Sequence, residues 1–109
     1  KLGPFAETSP GISGLETLLP LTMKLVDDEE ISIQQAIASL TYHPATILGI
    51  EAGQLKVGAS ADICIIAPNA HYECQPQQFI SAGKNSPFSG WLFNNQVQYT
   101  LFKGFTVFG

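Results

Sequence analysis

The side chains best suited to hold a metal in this chain are His71, Cys64 and Cys74, and His43 is the other group able to move a proton near neutral pH. A zinc site needs three or four His, Cys, Asp or Glu ligands brought together, and the spacings C-x-x-C, H-x-H and H-E-x-x-H do not occur. Cys64 and Cys74 are expected in different strands with His71 close by in sequence. A Cys-His-Cys site is therefore conceivable, but no fourth ligand is apparent. Asp27-Asp28-Glu29-Glu30 places carboxylates side by side, and adjacent residues do not converge on one ion without other ligands, so a solvated acidic turn is expected. His43 has no Ser, Cys or acid at a motif distance and suits a cap or a core-edge imidazole better than catalysis. No G-x-S-x-G, Walker loop or G-x-G-x-x-G is present. By its own residues the chain has no catalytic centre and no metal site.

One backbone feature remains. Pro10-Gly11 stands just ahead of a predicted helix, where main-chain amides can meet an anionic ligand; the plainer reading is a turn that starts the helix. Residues 1–12 hold two Pro and two Gly and are expected to form a loop with fixed bends. Ser13 followed by Glu16 has the spacing of a capping box, which predicts a helix over 14–26. Leu15, Leu18, Leu19, Leu21, Met23, Leu25 and Val26 leave that helix no continuous polar face, and Pro20 should kink it. Such a helix needs cover from polypeptide outside these residues, or from a second copy. Ser32 and Gln35 repeat the capping pattern before an amphipathic helix, with Ile33, Ala36, Ile37 and Leu40 on one face. A short third helix follows, with Pro44 at its first position and Gly49 at its C-terminal cap.

From Gly53 the period changes. Residues 53–58 suggest a glycine-bounded hairpin or turn, and Ala61 to Pro68 is an apolar run expected to be a buried strand stopped by Pro68. His71 to Gln75 suggests a facing edge strand, 76–83 a turn of helix and 84–90 a loop. The stretch 91–108 predicts three strands joined by tight turns at Asn94-Asn95 and Lys103-Gly104. The fold class expected is α+β, helices first and a small antiparallel sheet after them.

Composition narrows the function classes. Apolar residues make up 45% of the 109 and charged residues 13%, against roughly 25% charged in an average soluble domain. Part of this apolar surface is expected to face protein outside the sequence. A net charge of −4 with five scattered Lys and Arg leaves no footprint for nucleic acid. Two cysteines make no disulfide framework, which favours a reduced, cytoplasmic setting. No apolar run approaches the ~18 residues of a membrane span, and nothing resembles a signal peptide. The start at Lys1 instead of Met is expected of a processed chain or a fragment.

Several short motifs carry a resemblance. Pro4-Phe5-Ala6, Ser9-Pro10-Gly11-Ile12-Ser13-Gly14-Leu15-Glu16-Thr17, Leu19-Pro20-Leu21, His43-Pro44-Ala45, Gly53-x-Leu55-x-x-Gly58-x-x-Ala61-Asp62 and Ser86-Pro87-Phe88-x-Gly90 occur in that order. Together they resemble the C-terminal part of bacterial dihydroorotases, in the amidohydrolase superfamily, over essentially the whole chain. The Gly53 to Asp62 piece marks the superfamily, and the Pro10 to Thr17 piece points to dihydroorotase.

The resemblance implies a fragment of a (β/α)8 barrel: residues 1–52 would be the substrate loop and last barrel helices, and 53–109 the C-terminal share of an adjoining β-sandwich. It implies zinc-dependent, reversible conversion of carbamoyl-aspartate to dihydroorotate in pyrimidine biosynthesis, the metal polarising the amide carbonyl and an aspartate shuttling the proton. The family's metal ligands and that aspartate lie ahead of this chain, so the segment alone should be inactive. What matches within it is Pro10 and Gly11, in the loop whose backbone meets the substrate's anionic end. Pro10 has no N–H, so Gly11 is the donor of the two. The N-terminal barrel portion is the implied partner, with a homo-oligomer or an aspartate carbamoyltransferase complex beside it. The alternatives are a non-catalytic dihydroorotase-like subunit supporting that transferase, and another cyclic amidohydrolase such as a hydantoinase or allantoinase.

Overall fold

The computed structural model describes residues 11–109. Three helices precede a three-stranded antiparallel meander: α1 (Leu18–Asp27), α2 (Ile33–Leu40), α3 (Tyr42–Leu48), β1 (Ile63–Glu73), β2 (Leu92–Phe102) and β3 (Phe105–Phe108), with sheet order β1-β2-β3. The α+β class expected from the sequence is present. α1 lies against β2 and α2, and α2 against α3.

The start of α1 differs from the expectation. A 3-10 turn, Leu15–Thr17, leads into a helix that begins only at Leu18, and no side chain caps either one. The carboxylate of Glu16 does not reach back to Ser13; it accepts from the backbone N–H groups of Ile80 and Ser81, each at 3.0 Å. Two main-chain donors more than sixty residues away outcompete the local cap. Pro20 consequently falls at the third position of α1, where a backbone N–H has no intrahelical acceptor. Asp28 N–H ends α1 by donating to the Lys24 carbonyl, and Glu29, whose N–H donates to the Val26 carbonyl, turns the chain with φ 60°, which makes the acidic run a turn as expected.

α2 carries the full capping box: Ser32 Oγ accepts from Gln35 N–H, and Gln35 Oε1 accepts from Ser32 N–H at 2.9 Å. α3 begins at Tyr42, placing Pro44 third, and ends on Gly49 at φ 69°. His43 is an exposed residue beside Tyr42 and caps nothing.

Residues 53–58 take the turn of the two forms expected, within a loop where Ala59 N–H donates to Lys56 O. The sheet corrects three further expectations. Pro68 does not end a strand. The two segments expected on either side of it are one strand, β1, whose register shifts between Pro68 and Tyr72 where Asn69 takes φ 59°. A bulge accommodates the proline, which lacks the N–H a regular ladder uses. Nor does β1 contain a buried residue. Asn94-Asn95 is not a turn either: both lie inside β2, Asn95 opposite Pro68 and 6% exposed, its amide 3.4 Å from Asp27 Oδ2. Lys103-Gly104 is the expected tight turn, with φ 50° and 83°.

The core is thin. Among the described residues the buried apolar side chains are Met23, Ala36, Ala45, Cys74 and Phe93, with the prolines Pro20 and Pro76. α1 buries Pro20 and Met23 while Leu18 and Leu25 stay exposed, so this chain leaves part of the apolar helix without the cover it was expected to need.

Candidate functional site: the Gly11 loop and its clamp

Of the two backbone positions singled out in the sequence, Pro10 lies outside the described residues and Gly11 is inside them. Gly11 adopts φ 71°, a left-handed conformation that a residue with a Cβ enters only at a cost. Its carbonyl accepts from Asn85 Nδ2 at 2.7 Å. Two residues on, Ser13 N–H donates to the Asn85 carbonyl, also at 2.7 Å. Asn85 therefore grips the loop with its side chain and its backbone together.

The 79–85 segment that presents Asn85 is itself held to the start of α1. Besides the paired Glu16 bonds, Lys84 Nζ donates to the Phe79 carbonyl. Gly83 packs so close to Ser13 that a Cβ there would collide with Ser13 Oγ. Partial burial works to raise the Glu16 pKa, but the N–H groups of Ser81 and Ile80, the Ser81 hydroxyl and the charge of Lys84 outweigh it, holding the carboxyl below its usual value. Glu16 is thus an anion already occupied by protein donors, unavailable as a general base. Beside this clamp a half-open cleft of about 480 Å³ runs between the start of α1 and the sheet, walled mainly by Leu15, Leu19, Tyr72, Phe79 and Phe93.

The conceivable Cys-His-Cys site is not assembled. Cys64 and Cys74 stand ten residues apart, near the opposite ends of β1 and not in facing strands, a separation of roughly 30 Å at strand rise. Cys64 is exposed; Cys74 is buried, and burial, aided by the charge of Glu73, pushes its thiol pKa up. His71 Nδ1 pairs with Asn94 Oδ1 at 2.7 Å. Among the described residues no three His, Cys, Asp or Glu side chains converge as metal ligands. The described residues therefore offer no ligand set that fits a resident metal.

The Amidohydrolase family model matches residues 8–107. The chain belongs to the amidohydrolase family. Among its curated relatives, a dihydroorotase of Geobacter sp. (strain M21) is 41% identical over 98 residues, 90% of this chain and 23% of the relative. A dihydroorotase-like protein of Pseudomonas putida is 42% identical over all 109 residues, 26% of its own length. A dihydroorotase of Syntrophus aciditrophicus (strain SB) is 39% identical over 104 residues, covering 95% of this chain and 24% of the relative. The chain spans about a quarter of the length of the curated relatives it matches. Among the described residues no helix is long and apolar enough to cross a membrane.

Sequence reasoning located Gly11 but missed its partners. Asn85 stands directly before the Ser86-Pro87-Phe88 motif, and its type, favoured in loops for side-chain to backbone bonds, was the available signal. For Glu16 there was none, because its donors Ile80 and Ser81 are backbone N–H groups, which every residue type except proline supplies.

Proposed function

We propose that this chain is the C-terminal segment of a dihydroorotase, interconverting carbamoyl-aspartate and dihydroorotate. The observation that carries the reading is the 39–42% identity to dihydroorotases and dihydroorotase-like proteins across nearly all of the chain, the Pro10 to Thr17 motif included. Residues 1–52 then belong to the catalytic barrel and 53–109 to the small β-sandwich. The backbone at Pro10 and Gly11, with the Gly11 N–H as the donor of the two, meets the anionic end of the substrate. Zinc, its ligands and the proton-shuttling aspartate come from polypeptide ahead of these residues, and the segment alone is inactive. Its first partner is that N-terminal portion of the same enzyme, and a homo-oligomer or an assembly with aspartate carbamoyltransferase is the further one. The two free thiols suit a reducing cytoplasm.

A second reading, a dihydroorotase-like subunit without catalysis, is favoured by the match of the Pseudomonas putida protein to the chain's full length. Turnover of dihydroorotate and metal content, both measured on the full-length protein that contains this segment, separate the two. Turnover with bound zinc is the expected result. A folded full-length protein that holds no metal and turns nothing over would refute the enzyme reading in favour of the subunit.

A further inference from the structure

We propose that Asn85 is a positioning residue for the substrate loop, setting the direction of the Gly11–Ile12 peptide. The inference rests on the role given above to the Gly11 loop, and takes the Ile12 N–H, next along that loop from the Gly11 N–H, as the donor that this peptide aims. A trans peptide is planar, with its C=O and N–H on opposite sides. When Asn85 Nδ2 holds the Gly11 carbonyl at 2.7 Å, the Ile12 N–H of the same plane is fixed pointing away from Asn85. Two residues on, the bond from Ser13 N–H to the Asn85 carbonyl fixes the other end of the same turn. Gly11 at φ 71° has no Cβ to restrict it, so without a tether this peptide is free to rotate between orientations. The side chain of Asn85 selects one of them.

The clamp makes this selection stiff. Asn85 lies on a segment whose Ile80 and Ser81 N–H groups are bonded to Glu16 and whose Gly83 abuts Ser13. Loop and segment therefore hold each other on both sides of the bend. A donor that arrives prealigned loses less ordering entropy when an anion binds, and that advantage is lost if the peptide can turn. The anionic end of the substrate is remote from the bond that breaks. Its binding is the same in the ground and transition states, so a loss appears in KM and not in kcat.

The test is steady-state kinetics of the metal-loaded full-length enzyme carrying Asn85→Asp or Asn85→Ala, with carbamoyl-aspartate and dihydroorotate as substrates. Asn85→Asp conserves size and the backbone bond to Ser13 but replaces the donor with an acceptor, so it remains informative if Asn85→Ala does not fold. For both variants KM is expected to rise about tenfold, the scale of one lost hydrogen bond, with kcat changed by less than about threefold. A merely structural role would instead lower the active fraction, reducing kcat at constant KM, and that result would overturn the proposal, as would no change in either constant. A wild-type enzyme that turns over neither compound refutes the dihydroorotase reading, and this proposal with it.

Discussion

Isolating the 109 residues is the perturbation with the largest expected effect. Leu15, Ile47, Leu48, Leu55, Val57, Ile80, Leu92 and Phe105 are each at least 70% exposed. Burying one such side chain stabilises by about 1.5–3 kcal/mol, so the eight together forgo on the order of 15 kcal/mol. That equals or exceeds the roughly 5–15 kcal/mol of net stability of a typical domain. With so few buried apolar side chains to set against it, the isolated chain is expected to lack a cooperative fold. Urea titration followed by near-ultraviolet circular dichroism of Trp91, with sedimentation to report association, should show a shallow slope or self-association. The same signal in a protein that covers these side chains should show one sharp transition. A monomeric isolated chain unfolding cooperatively, with a slope near or above about 1 kcal/mol/M, would refute the reasoning.

The remaining predictions concern single positions in the full-length protein. Glu16→Gln replaces a charged acceptor of two N–H groups with one that keeps a single acceptor oxygen, and at this partly exposed site it should cost about 1 kcal/mol in thermal or urea unfolding. Because the folded pKa of Glu16 is lowered, its contribution is fully present above the ordinary value near ~4.3 and is lost as pH falls through the lower folded value. The melting difference between wild type and Glu16→Gln should accordingly be steady from about pH 7 to 5 and narrow below about pH 4; a gap that widens on acidification would contradict the clamp. Gly53→Ala places a Cβ 2.6 Å from the Thr41 carbonyl carbon and oxygen at φ 73°, and a loss of about 2 kcal/mol or more is expected by the same unfolding assays. Cys74 should resist alkylation at neutral pH in the folded protein and react once urea is added, read by mass spectrometry of its peptide; rapid native modification would show that its burial is wrong.

Short-range patterns were legible in the sequence alone. The α2 capping box, the Gly49 cap, the acidic turn after α1 and the Lys103-Gly104 turn each depend on residues within a few positions of one another, and each is where the residue types placed it. The separation of helices from an antiparallel sheet follows from the change of hydrophobic period at Gly53 for the same reason. The bend at Gly11 was visible in its Pro-Gly pair. What only the tertiary structure decided was which partners those residues take. Ser13 and Glu16 have the spacing of a cap, yet Glu16 serves amides of the 80–81 loop; Asn94-Asn95 has the composition of a turn, yet pairs with β1; Pro68 has the chemistry of a strand terminator, yet sits in a bulge. In each case a local preference worth about 1 kcal/mol competed with long-range hydrogen bonds of equal or greater strength, whose backbone donors carry no side-chain signature in the sequence.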